Sequence, residues 1–127
     1  MFSHIMIGSN DIERSKTFYE ALLGAMGGQP GVQDPQGRLI YAHRGGRLLV
    51  TKPINGEPAT GANGGTIGFA VENSEEGAAW HKAGIENGGT AIEDPPGMRQ
   101  GRTGSLYLAY LRDPDGNKLC ALCRMPA

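Results

Sequence analysis

The chain has 127 residues, enough for one domain with a hydrophobic core but not for two ordinary ones. Twelve Lys and Arg residues against thirteen Asp and Glu residues give no electrostatic reason to expect nucleic acid or an anionic membrane as a partner. No apolar run approaches the roughly 18–20 residues that span a bilayer, and the N-terminus lacks the pattern of a signal peptide. We therefore expect a cytoplasmic protein.

The first strand and helix are predicted from the N-terminal residues. In "FSHIMIG", Ile5 and Ile7 share one face of a β-strand, and His4 lies on the other. An Asn-x-x-Glu pattern that begins at Asn10 predicts a capping box with this residue as the N-cap. The apolar stripe of the helix that follows ends at Gly24.

The rest of the first half predicts strands. A short strand is expected near Val32, within a stretch rich in glycine and proline. The segments "RLIYAHR" and "RLLVTK" predict a hairpin closed over Gly45 and Gly46. Residues 54–65 carry no apolar pattern and predict a connecting loop.

The same order of elements is predicted again after that loop. "TIGFAVE" predicts a strand, an Asn-x-x-Glu pattern at Asn73 predicts a second helix cap, and "TAIED" predicts another short strand. "PPGMRQGRTG" predicts a loop before the last two strands. A shift of 62 residues aligns Ile5 with Ile67, but the helix caps align better at 63. A one-residue slip between strand and helix is therefore expected.

These patterns together predict a single α+β domain over residues 1–127, built from two βαβββ modules. The first module is expected at about residues 1–55 and the second at about residues 65–125.

The last predicted hairpin lies in "YLAYLRDPDGNKLCALCR". Residues 113–116, Asp-Pro-Asp-Gly, have turn chemistry, and this interpretation needs no function. Cys120 and Cys123 are three residues apart on a strand and should face opposite sides. We therefore expect two buried, reduced thiols and no disulfide.

Two segments carry a family resemblance: "HIMIGSNDIERSKTFYEALLG" near the start and "DPDGNKL" near the end. They resemble the signatures of the glyoxalase/bleomycin-resistance/dioxygenase superfamily, also called vicinal oxygen chelate proteins. With the repeated plan between them, the resemblance covers nearly the whole chain. It implies curved mixed sheets around a central cleft, a small-molecule ligand bound there, and a homodimer.

The resemblance also implies positions for metal ligands, which metal-dependent relatives fill mostly with His and Glu. His4 fills the first position, but Thr66, Cys120 and either Leu49 or Thr51 fill the others. Zinc, nickel or iron needs about three protein ligands. The sequence therefore predicts no standard metal site, and a divalent metal remains the alternative.

Two functions are compatible with this pattern. One is a metal-independent lyase or isomerase of small carbonyl compounds that uses His4 as acid and base. The other is a non-catalytic protein that sequesters a ligand, as drug-resistance members of the superfamily do.

His81 is expected at the surface, and His43 on either face of its strand. The residues expected to bind the ligand are Thr51, Thr66, Cys120, Tyr41 and Tyr107, and His4, Thr66 and Cys120 are expected to face the cleft.

Overall fold

The computed structural model describes residues 1–125, which contain two helices and nine strands. In chain order the elements are β1 (Ile5–Gly8), α1 (Ile12–Gly24), β2 (Val32–Gln33), β3 (Leu39–His43), β4 (Gly46–Thr51), β5 (Ile67–Ala70), α2 (Ser74–Glu86), β6 (Thr90–Ala91), β7 (Gly97–Gly101), β8 (Gly104–Arg112) and β9 (Lys118–Arg124). The first module comprises β1 to β4 with α1, and the second comprises β5 to β9 with α2.

Each module forms its own mixed sheet. Sheet A has the order β1-β4-β3-β2, with β1 parallel to β4 and the other pairs antiparallel. Sheet B has the order β5-β9-β8-β6, with β7 also paired to β8 and β5 parallel to β9. In both modules, therefore, the first and last strands are parallel neighbours. This is the α+β fold that the sequence predicted.

The two helices are related by the same shift as the first strands of the modules. Each has 13 residues. The N-cap of α1 is Asp11, whose side chain accepts a hydrogen bond from the Arg14 N–H at 3.1 Å, and not Asn10 as predicted. Asn73 caps α2 in the same way. Because Asp11 and Asn73 are 62 positions apart, the expected one-residue slip is wrong.

Two local predictions differ from the structure. The β3–β4 turn is formed by Arg44 and Gly45, with φ values of 48° and 83°, one residue earlier than expected. Two positive φ values are typical of the type I′ turns that match strand twist. Gly97–Gly101, expected in a loop, forms β7 and pairs antiparallel with β8. The second module therefore has one strand more than the first.

The hydrophobic core lies where the helices pack against the sheets and against each other. Helix α1 packs against α2 and β4, and α2 packs against β6, β8 and β9. Tyr19 of α1 contacts Tyr41 of β3 with ring centroids 6.3 Å apart, and Trp80 of α2 contacts Phe69 of β5 at 5.7 Å. These contacts define the helix-facing side of each sheet. We call the opposite side the outer face.

The turn between β8 and β9 holds the second module against α1. The Asp115 carboxylate is completely buried and accepts hydrogen bonds from the Asn10 backbone N–H and from Arg14, both at 2.8 Å. The Ser15 hydroxyl donates to its second oxygen at 3.2 Å. All three donors surround the N-terminus of α1, where the helix dipole favours a negative charge.

Asp113 in the same turn both shapes the turn and reaches α1. Its carboxylate accepts hydrogen bonds from the backbone N–H groups of Asp115 and Asn117 at 2.9 Å and from the Asn117 amide at 2.8 Å. The Tyr19 hydroxyl donates to it at 2.6 Å. The segment that the sequence predicted as a local turn therefore also joins the two modules.

A counterpart of this contact lies at the start of α2. Arg44, in the β3–β4 turn, donates two hydrogen bonds to the Glu76 carboxylate at 2.5 and 2.9 Å and one to the Met26 carbonyl at 3.0 Å. The hydrogen bond from Arg44 lowers the pKa of Glu76 and raises that of Arg44 itself. The last hairpin turn of each module thus binds the first turn of the helix in the other module. In the second module the turn supplies the negative charge, Asp115, to Arg14 of α1, whereas in the first module the turn supplies the positive charge, Arg44, to Glu76 of α2.

Candidate functional site

His4 directly precedes β1 and is exposed. Its Nδ1 lies 2.8 Å from the Ser3 hydroxyl oxygen. Ile5 pairs with Leu48 on the helix-facing side of sheet A, so Met6 lies on the outer face. Because side chains alternate along a strand, His4 extends this outer face by one step beyond Met6.

The two predicted threonines lie on different modules. Thr51 ends β4 on the outer face of sheet A, opposite Gly8, and its hydroxyl donates to the Lys52 carbonyl at 3.1 Å. Thr66 directly precedes β5 and is exposed. Thr51 therefore shares a sheet face with His4, whereas Thr66 does not.

Cys120 lies on the outer face of sheet B, opposite Tyr110 and beside Gly68, and is 6% exposed. The Lys118 ammonium lies 5.1 Å from the centroid of the Tyr110 ring and pairs with Glu93. Burial raises the pKa of the Cys120 thiol. The thiol is therefore protonated at neutral pH and is a poor nucleophile.

Tyr41 and Tyr107 lie on the helix-facing sides of their sheets, 2% and 6% exposed. Neither hydroxyl has a hydrogen-bond partner among the described residues, and burial raises the pKa of both. This placement differs from the expectation that they hydrogen-bond a ligand beside His4, because the sheets separate them from the outer faces. Cys123 pairs with Tyr107 on that side, so both cysteines are free and face opposite sides, as predicted.

Two cavities lie near these residues. A groove of about 1010 Å³ runs beside the outer face of sheet A, and we call it the outer groove; Met6, Thr51 and Lys52 contribute to its lining. A second cavity of about 240 Å³ lies between the modules, lined by residues of both sheets that include Leu48 and Phe69. We call it the inter-module crevice.

The structure brings together only part of the predicted site. Thr51 lines the outer groove and His4 lies on the same sheet face, while Tyr41 lines the inter-module crevice. Thr66 and Cys120 line neither cavity. They belong to a different sheet from His4, and the expected arrangement of His4, Thr66 and Cys120 around one cleft stays a prediction.

The residues present do not fit the metal that the resemblance implies. The family's ligand positions hold the His4 imidazole, the Cys120 thiol, the Thr66 hydroxyl and either Leu49 or Thr51, and of these only the imidazole and the thiolate suit zinc, nickel or iron, which need about three protein ligands. Within the described part of the chain, no group of three or more His, Cys, Asp or Glu side chains is placed to hold a metal ion.

The other two histidines have structural partners. Nε2 of His43 lies 2.9 Å from the Met26 carbonyl, and Nε2 of His81 lies 3.1 Å from the Tyr110 carbonyl. A carbonyl oxygen only accepts, so each Nε2 carries the proton. His81 is half-buried and not at the surface as expected, and burial lowers its pKa. His43 lines the inter-module crevice, a position that no sequence pattern indicated.

Comparison with known proteins decides the family. Residues 1–121 match the model of the Glyoxalase/Bleomycin resistance protein/Dioxygenase superfamily. The chain belongs to this superfamily. The resemblance seen in the sequence is thereby confirmed. A glyoxalase/bleomycin resistance protein from Albidiferax ferrireducens T118, known from its crystal structure, is 58% identical in sequence to this chain. The match has a TM-score of 0.93 and covers 98% of this chain and 99% of that one.

More distant members of the fold match over similar lengths. The hypothetical protein SA1046 from S. aureus is 22% identical, with a TM-score of 0.75 over 97% of this chain and 94% of that one. A glyoxalase/bleomycin resistance protein/dioxygenase family enzyme from Burkholderia phytofirmans PsJN is 18% identical, with a TM-score of 0.74 over 97% and 98%. At these identities the likeness shows the fold alone. None of the proteins with curated functions matches this superfamily member significantly.

No helix in the described part of the chain has the length and apolar character needed to cross a membrane.

Proposed function

We propose that this superfamily member binds a small organic molecule in the outer groove and acts on it as a metal-independent lyase or isomerase of small carbonyl compounds. The observation that carries the proposal is the outer groove itself, about 1010 Å³ beside the helix-free face of sheet A. Its volume is at the upper end of the roughly 300–1,000 Å³ typical of small-molecule sites. The lining combines apolar Met6 with the polar groups of Thr51 and Lys52.

His4 supplies the acid–base chemistry in this proposal. Its ring is exposed, and within residues 1–125 its side chain hydrogen-bonds only the neighbouring Ser3 hydroxyl through Nδ1, so Nε2 is available to a ligand. For an isomerisation, Nε2 takes the proton from the carbon next to a carbonyl group, the electron pair forms an enolate, and the proton returns to the neighbouring position. The Lys52 ammonium, at the rim of the outer groove, is the cation available to stabilise the enolate oxygen.

A non-catalytic ligand-sequestering protein is the second candidate. The observation that favours it is that Cys120 and either Leu49 or Thr51, and no carboxylate, occupy the last-strand positions that the resemblance assigns to metal ligands. Asp11 and Glu13 line the outer groove together with Arg38 and Lys52, so the groove offers both negative and positive groups to a charged ligand such as bleomycin.

A homodimer in the cytoplasm is the setting we propose for either activity. Phe2 and Met6 are 77% and 40% exposed at β1, whose second edge pairs with no other described strand. An open edge with exposed apolar side chains favours association with another chain. Two reduced thiols suit a reducing compartment. Light scattering that finds only a monomer at micromolar concentration would remove the dimer.

The test compares the native protein with His4→Ala and the control Ser3→Ala. Both residues are exposed, so each change should alter the free energy of unfolding by less than about 0.5 kcal/mol. The probes are the hemithioacetal of methylglyoxal, dihydroxyacetone and bleomycin. Turnover should fall about 10²–10⁴-fold in His4→Ala through kcat, and not in Ser3→Ala.

Three outcomes separate the candidates. Full turnover in His4→Ala contradicts the acid–base role. Binding of bleomycin with no turnover of either carbonyl compound favours sequestration. If none of the probes shifts the NMR signal of the Met6 methyl group, binding in the outer groove is wrong for both candidates.

A further inference from the structure

Three asparagines in this chain are directly followed by glycine, at positions 55–56, 63–64 and 87–88. Asparagine is a thermolabile residue, and a following glycine leaves its backbone nitrogen accessible because glycine has no Cβ. In such a pair this nitrogen can attack the asparagine side-chain amide. Because all three pairs share this sequence, their surroundings in the folded chain decide which of them reacts.

The linker between β4 and β5 is fixed as far as residue 61. The backbone of Ala59 forms two hydrogen bonds with the Asn10 side chain, at 2.7 and 3.1 Å. Gly61 lies directly against the Gly116 carbonyl, since a Cβ added there would overlap this group. The pair at positions 63–64 comes after both contacts and before β5 begins.

Asn63 and Gly64 are the central residues of an exposed turn. The turn is closed by one hydrogen bond, from the Gly65 N–H to the Ala62 carbonyl at 2.8 Å. Within residues 1–125, neither the Asn63 side chain nor the Gly64 N–H forms a hydrogen bond. A Cβ built at Gly64 meets nothing within 4 Å, so the space around this peptide is open. Ala62 has a φ of 48°, which is unfavourable for alanine, so opening of the turn relieves strain.

The other two pairs are held by hydrogen bonds. The Asn55 side-chain oxygen accepts from the Glu57 N–H at 2.9 Å, and the N–H of the intervening glycine donates to the Pro53 carbonyl at 3.2 Å. The Asn87 side-chain nitrogen donates to the Ala83 carbonyl at 2.8 Å, and this asparagine is half-buried at the end of α2. In the first pair both reacting groups are engaged, and in the second the reacting amide is engaged.

We propose that Asn63 is a site of spontaneous deamidation, which places a covalent modification site in the linker between the modules. The Gly64 nitrogen gives its proton to hydroxide and attacks Cγ of Asn63. The new C–N bond closes a cyclic succinimide, and the side-chain nitrogen takes a proton from water and leaves as ammonia. A water molecule then opens the ring at either carbonyl group, so the net change is the loss of ammonia and the gain of water.

The product differs from the native chain in charge and in backbone length. Ring opening at one carbonyl gives aspartate, and at the other it gives isoaspartate, whose main chain contains an additional methylene group. Both products add a negative charge to a chain whose formal net charge is −1. The additional methylene group lies between the fixed Gly61 and the first residue of β5, so it lengthens the connection between the modules.

The rate of the reaction should depend on pH and on the fold. Because the Gly64 nitrogen attacks only after it loses its proton, the rate should rise with pH. Opening one hydrogen bond of ordinary strength slows a reaction by up to about tenfold. Asn55 must break two such bonds, and Asn87 must break one and leave a half-buried position. Asn63 should therefore react at least about tenfold faster than either.

The experiment incubates the intact protein in mildly alkaline buffer at micromolar concentration. Tandem mass spectrometry of its peptides measures the converted fraction at each of the three asparagines, and isoelectric focusing detects the added charge. The NMR signals of the Asn63 side-chain amide should disappear at the same rate, while those of Asn55 and Asn87 remain. In the chain kept unfolded in guanidinium chloride, all three asparagines should convert at similar rates, because the hydrogen bonds that distinguish them are absent.

Two matched variants complete the test. Asn63→Gln should prevent the early charge change, because the longer side chain closes a ring much more slowly, whereas the control Asn55→Gln should leave it unchanged. Both residues are exposed, so neither substitution should unfold the protein. The proposal is overturned if Asn63 stays unmodified in the folded protein, which is also the result expected if a second copy of the chain covers this turn. It is equally overturned if Asn55 or Asn87 converts as fast as Asn63, or if the unfolded chain shows the same order of rates as the folded one.

Discussion

The hydrogen bond from Tyr19 to Asp113 joins the modules, and Tyr19→Phe removes it with little other change. The substitution deletes one oxygen and leaves the ring against Phe18, 4.8 Å away between centroids. Asp113 keeps its hydrogen bonds from Asp115 and Asn117, so no buried charge is left without partners. A hydrogen bond to a charged acceptor contributes about 1.5–3 kcal/mol. The free energy of unfolding should therefore fall by about 2 kcal/mol.

The measurement is urea denaturation followed by Trp80 fluorescence, with calorimetry for the midpoint temperature. For a chain of this length 2 kcal/mol corresponds to a fall of about 8 °C. Tyr107→Phe is the matched control, because it deletes the same atom from a similarly buried tyrosine whose hydroxyl has no hydrogen-bond partner among the described residues. It should leave stability unchanged or raise it slightly. Equal losses in the two variants would refute the reasoning.

The remaining predictions concern the linker, one ion pair and metal. Gly61→Ala should lower the free energy of unfolding, measured by urea denaturation, by about 2 kcal/mol or more, because a Cβ there would overlap the Gly116 carbonyl oxygen. At Gly24 an added Cβ meets nothing within 4 Å, so Gly24→Ala should instead raise the free energy of unfolding by about 0.5–1 kcal/mol. Arg44 lowers the pKa of Glu76 in the folded state, so the contribution of the ion pair is fully present above the unfolded value of about 4.5 and is lost as pH falls through the lower folded value. Glu76→Gln should therefore be less stable than the native protein at pH 7, and the difference should shrink as pH falls below 4.5. Purified protein should contain much less than one equivalent of zinc, nickel or iron, and EDTA should not change its midpoint temperature; stoichiometric metal by elemental analysis would contradict this.

The repeat of the two modules could be predicted because both the strands and the helices carry it. Ile5 and Ile67 begin equivalent strands, and the two helices have equal length. The N-cap of α1 could not be predicted, because Asn10 and Asp11 are both good capping residues. The choice depends on a contact distant in sequence: the Asn10 side chain binds the backbone of Ala59, which leaves the cap to Asp11.

The strand β7 was missed for a different reason. The strand begins at Gly97 and ends at Gly101, and glycine has no side chain. The segment "GMRQG" therefore shows no alternation of apolar and polar residues. Its pairing with β8 uses the backbone, which a side-chain pattern does not report. Strands of this kind are recognised only when the partner strand is known.

The candidate site was predicted in part because alternation along a strand separates two faces but does not say which face a helix covers. Alternation correctly placed Ile5 on the face opposite to that of His4, and Cys120 on the face opposite to that of Cys123. In β3, however, both faces carry apolar residues, so the pattern could not place Tyr41 in the core beneath α1.

The relative position of the two modules is the other property that local patterns do not reveal. Asp115 reads as a turn residue in the sequence, yet its carboxylate binds Arg14, about a hundred positions away. Arg44 similarly binds Glu76 across the module boundary. Both contacts lie at helix N-termini, and together they hold the helices in contact while β1 and β5 remain in separate sheets. The inter-module crevice exists because the modules are joined at these turns and not along their first strands, so its shape depends on two ion pairs, of whose four residues only Arg44 lines it.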